Sequence, residues 1–376
     1  MTLQISYIHN TDLSSNDTSF TFVVSNCISL AEHGAEVLLI LKNSSKREGR
    51  RIIIDKYGIK ELPDSLKVKD MKSGLQTSSL FYMRAALYLR AKGPKILITR
   101  SHRFLPYIFK LKRKDQVVLF ETHDFFMDLE KRDDILKSKR LKKSKIEQKY
   151  FPRLESLICL NSHQKELYHS YLGKVPDIVC FPTGLTKVER HDKSVSDKIV
   201  YVGSLNKRLG IERIVKLSLK MPEYEFVIVG GKTKQAIEDF KRLFSGGELP
   251  KNVRITGWIG KSQLGKILEE ASIGLLPLTD TFFNRYLTVP LKMFDYFSYG
   301  LITIAPDYPS CQSFIDKDKT GFLVDWNELK QVEEMLRKLL SDKKKMQEIS
   351  KNVFSVAEKM TWGKRAKDQI DYFKKL

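Results

Sequence analysis

The chain has 376 residues, which is more than one hydrophobic core usually organises and predicts two domains. Hydrophobic residues make up 42% and charged residues 30%, a composition that excludes low-complexity disorder. The formal net charge of +21 predicts attraction to phosphates, but nucleic-acid binding is not predicted, because the sequence has no RNP motif, zinc finger or helix-turn-helix signature.

The cysteines and the hydrophobic runs indicate in which cellular compartment the protein is expected. Cysteines occur far apart and form no CxxC pair, so neither a zinc site nor a disulfide framework is predicted. No apolar run approaches the roughly 18 residues of a membrane-spanning helix, and the first residues lack the basic region of a signal peptide. The sequence therefore predicts a cytoplasmic protein.

In the first half, short β-branched runs alternate with amphipathic stretches, the pattern typical of helices that cross between parallel strands. A helix is predicted over 20–33. The predicted strands are Ile5–Ile8, Glu36–Leu41, Ile96–Thr99, Val117–Glu121 and Ser156–Leu160.

The same pattern starts again in the second half, after a polar segment without apolar period over 187–198 that predicts an interdomain linker. The predicted strands of this half begin near Lys198, Tyr224, Val253, Ile273 and Leu301. Ligands of open parallel sheets bind beyond the carboxyl ends of the strands, so a site shared by the two domains is predicted.

A basic segment, Lys131–Lys149, carries nine Lys or Arg against three Asp or Glu. Leu136, Leu141 and Ile146 recur in it at roughly helical spacing. Two interpretations stay open: an amphipathic surface that rests on an anionic membrane, and a solvated helix face.

A candidate diphosphate site follows the first strand of the second half. Gly203 opens a polar loop with Lys207 and Arg208, and an amphipathic run comes next. Backbone N–H groups at a helix start and nearby cations suit a diphosphate, although an ordinary strand-to-helix turn has the same pattern. Gly230, at the end of the next strand, would let a ligand approach the backbone.

A second candidate segment is the helix that Pro290 opens and Gly300 closes. Asp295 lies in it among Met293, Phe294, Tyr296 and Phe297. An acid among large apolar residues needs a partner, and the paired hydroxyls of a ribose are suitable donors to a carboxylate.

In the first half, two predicted strands run into polar residues at their carboxyl ends. His123 follows one of them and Arg100 follows another. His123 would bind a sugar hydroxyl or orient an acceptor, or would be a structural histidine. The Asp-x-Asp sequence at 316–318 lies in a lysine-rich turn, and we do not interpret it as a metal site.

Taken in order, these segments resemble the family-4 retaining glycosyltransferases of the GT-B fold over nearly the whole chain. The resemblance is densest over 201–325, where the chain has strand, helix and closing segments similar to those of the family: Tyr201-Val-Gly-Ser-Leu, Phe226-Val-Ile-Val-Gly-Gly, Val253-Arg-Ile-Thr-Gly-Trp-Ile, Pro290-Leu-Lys-Met-Phe-Asp-Tyr and Gly321-Phe-Leu-Val.

The resemblance implies an α/β fold of GT-B architecture, in which two Rossmann-like parallel-sheet domains face a cleft. The N-terminal, acceptor-side domain would span 1–186, and the C-terminal, nucleotide-sugar-binding domain would span 197–361. A last helix, 362–376, would pack back on the first domain.

The resemblance also implies the site. Asp295 would take the place of the family's ribose-binding glutamate, and it and His123 are the predicted catalytic residues. The predicted donor-binding residues are Gly203, Ser204, Lys207, Arg208, Gly230, Ile259, Val289, Pro290, Leu291 and Asp295. The predicted acceptor-side residues are Thr18, Ser19, Arg100 and His123.

The implied activity is retaining transfer of a hexosyl group from a nucleotide-diphosphate sugar to a glycan or lipid-linked acceptor in polysaccharide assembly, with no metal and no cofactor. Three positions depart from the family: Ser204 and Leu209 replace its phosphate-binding cations, and Leu287 replaces its first glutamate. These departures leave two alternatives open, a non-catalytic subunit that binds the nucleotide sugar and a sugar-nucleotide epimerase on the same fold.

Overall fold

The computed structural model describes residues 2–13, 18–72, 78–172, 176–189, 194–206 and 209–376. It consists of two compact units, Met1–Gly184 with Trp362–Leu376, and Leu185–Thr361. Each unit is an α/β domain, and the strands named below pair in parallel in both of them. The predicted fold class, two parallel-sheet α/β domains, is confirmed.

The N-terminal unit has a sheet of seven strands within the described residues, in the order β3-β2-β1-β4-β5-β6-β7. The strands are β1 (Gln4–Asp12), β2 (Glu36–Asn43), β3 (Leu66–Lys72), β4 (Ile96–Thr99), β5 (Val117–Glu121), β6 (Ser156–Cys159) and β7 (Asp177–Cys180). The helices between them are α1 (Thr18–Glu32), α2 (Gly49–Tyr57), α3 (Ser78–Lys92), α4 (Leu105–Leu111), α5 (Lys137–Tyr150) and α6 (Ser162–Leu172).

The strands that the sequence reveals best are the central ones. Every residue of β4 and of β6 is buried, because helices cover both faces of a parallel sheet. Such strands are continuous apolar runs, and β4 and β5 have the bounds that the sequence predicts. The edge strands β3 and β7 are not among the predicted strands, because an edge strand tolerates polar residues and its apolar signal is weak.

The C-terminal unit has a sheet of six strands in the described residues, in the order β10-β9-β8-β11-β12-β13. Its strands are β8 (Ile199–Val202), β9 (Phe226–Val229), β10 (Val253–Gly257), β11 (Ile273–Leu275), β12 (Ile302–Pro306) and β13 (Gly321–Val324). Its helices are α7 (Ile211–Lys220), α8 (Lys234–Lys241), α9 (Lys261–Glu270), α10 (Leu291–Ser298), α11 (Pro309–Gln312), α12 (Leu329–Ser341) and α13 (Lys343–Ala357).

This strand order is that of a doubly wound nucleotide-binding sheet, in which the direction of winding reverses between the first and fourth strands. Here that switch point lies between β8 and β11. The segments that follow these strands therefore lie where such sheets bind their ligands. They are the turn after β8 and the segment from β11 to α10.

The last helix, α14 (Trp362–Phe373), belongs to the N-terminal unit and packs against α1. Its Arg365 is almost fully buried and pairs with the buried carboxylate of Glu121 at the end of β5. The same guanidinium donates to Asn26 Oδ1 at 2.9 Å and to the carbonyl of Pro182 at 2.6 Å, and Tyr7 donates to Glu121. These bonds fasten the end of the chain to the first sheet.

The basic segment predicted from the sequence lies mainly on α5. Its Lys139, Lys142 and Lys145 are exposed, and so are Leu136 and Leu141, the first of them with 68% of its surface accessible. Within the residues that the structure describes, no helix is both long and apolar enough to span a membrane.

Candidate functional site

The turn after β8 is held in one shape by its own contacts. Gly203 has a φ of +147°, a conformation that favours glycine, and its N–H donates to the Val229 carbonyl at 2.9 Å. Tyr201 donates from its hydroxyl to the Ser204 carbonyl at 2.9 Å. A Cβ at Gly230 would lie 1.9 Å from the Gly203 carbonyl oxygen, so the ends of β8 and β9 meet through bare backbone.

Helix α10 begins next to the same sheet edge. Pro290 is its N-cap, in an extended conformation, and Leu291 is exposed where the helix starts. The first N–H groups of a helix have no partner within it, so this end attracts anions. Val289 is half-buried and packs against the core of the unit. The structure thus gives the predicted segment 289–291 the geometry of a helix start.

Tyr296 fixes α10 relative to the strands. Its buried hydroxyl accepts from the Val202 N–H at 3.0 Å and donates to the Leu275 carbonyl at 3.1 Å. One side chain thereby connects the helix to the ends of β8 and β11, the two strands at the switch point. The position of α10 beside the Gly203 turn follows from this anchor.

Asp295 lies on the opposite side of α10 from its apolar neighbours. Phe294 and Tyr296 are buried, whereas the Asp295 side chain is exposed, although large apolar residues flank it in the sequence. Helix α10 buries Met293, Phe294, Tyr296 and Phe297, and its exposed positions, Leu291 and Asp295, are four residues apart and share one face. The carboxylate has no hydrogen-bond or ion-pair partner in the described part of the chain.

The protein around Asp295 still removes part of its hydration. This desolvation raises the pKa of the Asp295 carboxyl to about 6, against the opposing effect of the Lys261 cation at the start of α9. An accessible carboxyl with a raised pKa and no internal partner is typical of a binding site.

Lys292 lies three residues before Asp295 and is not among the site residues predicted from the sequence. Its Nζ atom is shielded from solvent and lies 4.2 Å from the centre of the Tyr201 ring. Desolvation lowers the pKa of this amine to about 7. The sequence signal that could have identified Lys292 is its spacing of three residues from Asp295, which places both side chains on one face of α10.

Four further residues were predicted to bind the donor: Ser204, Lys207, Arg208 and Ile259. Ser204 is exposed, and Ile259 is half-buried against the apolar cluster that contains Tyr296. Lys207 and Arg208 lie outside the described residues. Trp258, which precedes Ile259 in the loop after β10, has 70% of its surface accessible and was not predicted.

In the N-terminal unit, His123 follows β5 and lies near the carboxyl end of the sheet. Its ring meets Phe22 edge-on, with 4.8 Å between the ring centres. Its Nε2 atom is shielded from solvent and has no hydrogen-bond partner in the described residues. Desolvation holds the pKa of His123 well below its usual range, and the positive charges of Arg100 and Arg365 add to this effect. The imidazole is therefore neutral at pH 7.

Arg100 and Ser19 lie in the same cluster as His123. The Arg100 guanidinium stacks on Phe22 at 4.7 Å and donates to the Ser19 carbonyl at 3.2 Å. Ser19 Oγ lies 3.4 Å from Nε2 of His9, a buried residue of β1 that the sequence-based reasoning missed, as it missed Phe22. Thr18 is the first residue of α1.

In the described ranges, no group of three or more His, Cys, Asp or Glu side chains is placed to hold a metal ion.

Part of the chain matches a known protein family in sequence. Residues 187–356 match a family model described as glycosyl transferases group 1. No curated protein matches the chain in sequence.

Solved structures match the chain over its whole length. Sucrose-phosphate synthase from Thermosynechococcus elongatus has a TM-score of 0.75 at 15% identity, covering 99% of this chain and 98% of that one. HepE from Anabaena, in complex with UDP and glucose, has a TM-score of 0.73 at 10% identity, covering 100% of both chains. A variant of S. aureus TarM, in complex with Fondaparinux, alpha-GlcNAc-glycerol and UDP, has a TM-score of 0.70 at 13% identity, covering 99% of this chain and 100% of that one.

At these identities the structural likeness establishes the fold. The chain has the fold of GT-B glycosyltransferase structures, and its segment 187–356 matches the glycosyl transferases group 1 family.

Proposed function

We propose that this protein is a glycosyltransferase that takes a sugar from a nucleotide-diphosphate donor bound at the carboxyl edge of the C-terminal sheet. The observation that carries the proposal is Asp295, an accessible carboxylate without an internal partner, on a helix that Tyr296 anchors at the switch point of the sheet. Ribose hydroxyls are donors that suit such a group. The family match of residues 187–356 supports the same activity.

The rest of the donor would bind along the same edge. The diphosphate would lie at the Gly203 turn and the start of α10, where helix N–H groups favour negative charge. The base would lie near Ile259. HepE, one of the similar structures, has been solved with UDP and glucose, which supports a nucleotide diphosphate in this fold.

The acceptor would bind through the N-terminal unit. The neutral His123 has an unused ring nitrogen, and Arg100 and Ser19 lie beside it. A neutral imidazole can both donate to and accept from a sugar hydroxyl. A glycan or lipid-linked acceptor in polysaccharide assembly is the class we propose.

The proposed reaction is hexosyl transfer with retention of configuration, without a metal and without a cofactor. The negative charge that develops on the departing diphosphate would be stabilised by placed dipoles and cations. Water competes with the acceptor for the activated sugar, so an enzyme of this kind releases nucleotide diphosphate slowly when the acceptor is missing.

A second candidate is a subunit that binds the nucleotide sugar and transfers nothing. The observation that favours it is the lack of cations at Ser204 and Leu209, where related glycosyltransferases are expected to bind phosphate. An epimerase on the same fold is the third possibility left open by the sequence.

The test is incubation of the purified protein with UDP, ADP and GDP sugars, each alone. We expect slow release of one nucleoside diphosphate with the free sugar, detected by anion-exchange chromatography. Conversion of one nucleotide sugar to its epimer would identify an epimerase instead. Binding of a donor without release, also in the presence of glycan and lipid-linked acceptors, would contradict transfer and favour the binding subunit.

We also propose that α5 rests on the cytoplasmic face of an anionic membrane. Replacing Lys139, Lys142 and Lys145 with glutamine is expected to lower partition onto vesicles containing phosphatidylserine by at least about tenfold, because each lysine near such a surface contributes about 1 kcal/mol. Sedimentation of vesicles at low and high salt measures the effect, which should shrink as salt rises.

A matched control removes the same charge from the other unit, with Lys330, Lys344 and Lys351 replaced by glutamine. These side chains are exposed on α12 and α13. Equal losses in the two triple variants would show that net charge alone drives binding. No loss in the α5 variant would leave that helix as a solvated face.

A further inference from the structure

The amine of Lys292 is an unsatisfied group in the C-terminal unit. Its Nζ atom is shielded from solvent and has no hydrogen-bond partner among the described residues. A desolvated ammonium group without a partner is costly, and buried polar groups nearly always have one. A ligand that brings negative charge to this amine would relieve that cost.

The surroundings of the amine point to the Gly203 turn. A Cβ at Gly203 would lie 2.8 Å from Lys292 Nζ, so the amine occupies the space that any larger residue would fill. Tyr201 contacts the amine through its ring and holds the turn through its hydroxyl, which donates to the Ser204 carbonyl. An anion on this turn lies within reach of the flexible lysine side chain.

Within the described residues, the Gly203 turn and the segment 289–298 contain few charges, and the nearby Lys261 at the start of α9 acts on Asp295. One cation, Lys292, and one anion, Asp295, occur in the described residues 203–206, 209–210 and 289–298. The two side chains are three residues apart on one helix face and form no ion pair with each other. Each is therefore available to a ligand, one for an anionic group and one for hydroxyls.

We propose that Lys292 binds the diphosphate of the donor, in place of the cations that Ser204 and Leu209 do not supply. This inference rests on the proposed function. Helix α10 would then bind the donor at two points, the phosphates near its first turn and the ribose one turn later. Lys292 is a binding residue in this scheme, and its charge offsets that of the departing diphosphate.

The protonation of Lys292 supplies a readout that a structural lysine lacks. Because its pKa is about 7, most of the amine is neutral at pH 8. A bound diphosphate favours the charged form and raises the pKa, so binding at pH 8 is expected to take up a proton. Affinity should correspondingly fall as the pH rises above 7.

The experiment is calorimetry of the whole protein with UDP, ADP and GDP at pH 8, in two buffers with different enthalpies of ionisation. With the diphosphate that binds, Lys292→Met is expected to lose about 10- to 100-fold in affinity and to lose the proton uptake, while the affinity for the matching nucleoside stays within about twofold. Lys292→Arg should keep the affinity without the uptake, because arginine is always charged.

Two controls separate this role from a structural one. Lys266→Met, at an exposed position of α9, should leave both affinity and uptake unchanged. The Tm of Lys292→Met should equal or exceed that of the wild type, because the substitution removes an unpaired desolvated charge.

Three outcomes overturn the inference. They are a Met variant with wild-type affinity and proton uptake, a loss as large for the nucleoside as for the diphosphate, and a wild type that binds none of the three diphosphates. Only the last of these also overturns the proposed function.

Discussion

Replacing Asp295 with alanine is expected to lower the affinity for the donor by at least about 100-fold, because two charge-assisted hydrogen bonds to the ribose contribute about 1.5–3 kcal/mol each. Calorimetry with the nucleoside diphosphate that the wild type binds measures the loss. The side chain is exposed and unpaired, so its removal should leave the Tm within about 1 °C of the wild type.

Glu248→Ala is the matched control, an exposed acid elsewhere in the same unit. It should change neither affinity nor stability. Asp295→Asn keeps the size and one acceptor oxygen but not the charge, so an intermediate loss of about tenfold is expected. Unchanged affinity in Asp295→Ala would remove the central support for the donor site.

The raised pKa of Asp295 adds a pH dependence to the same prediction. The carboxyl has a pKa of about 6 and is a strong acceptor only when ionised. Donor affinity in the wild type should therefore fall as the pH is lowered through about 6, and Asp295→Asn should lack this fall. A wild-type affinity that is constant between pH 5 and 7 would argue against a role for this charge.

Replacing Arg365 with alanine is expected to destabilise the N-terminal unit by about 3–5 kcal/mol, because it leaves the carboxylate of Glu121 buried without a counter-charge. The carbonyl of Pro182 and the amide of Asn26 lose a donor as well. Urea unfolding followed by circular dichroism measures the loss, with the transition of this unit shifted to lower urea.

Lys364→Ala provides the comparison, since Lys364 is the neighbouring residue and its ion pair with Asp368 is exposed. Such a pair contributes at most about 1 kcal/mol. The double variant Glu121→Gln with Arg365→Met removes both charges and should recover part of the stability. A single Arg365→Ala change as mild as Lys364→Ala would show that the buried pair does not fasten α14.

The central strands of both sheets could be predicted because burial on both faces requires continuous apolar residues. The edge strands β3 and β7 could not, because charged residues interrupt β3 and begin β7, whereas the edge strand β10 was predicted from Val253 onward. Helix α10 was predicted from Pro290 and Gly300, and its N-cap is at Pro290 as expected. The sequence therefore predicts those elements whose residues must be apolar or must adopt a special backbone conformation.

The candidate site was predicted only in part. Asp295 and His123 stand out in the sequence because each follows or interrupts an apolar run. Lys292 does not, since its importance comes from the bare backbone of Gly203 beside it, a contact between residues far apart in the chain. His9 and Phe22 belong to the cluster around His123 for the same reason, and their roles, like those of the predicted residues, stay predictions.

The place of α14 in the chain separates the partners of a buried ion pair during synthesis. The ribosome makes the first 184 residues early, yet the partner of Glu121 emerges only after the complete C-terminal unit, Leu185–Thr361. Until then Glu121 lacks its guanidinium partner, and the surface of α1 that α14 covers has no helix packed against it. The N-terminal unit therefore cannot complete its native contacts before the C-terminal unit has been synthesised.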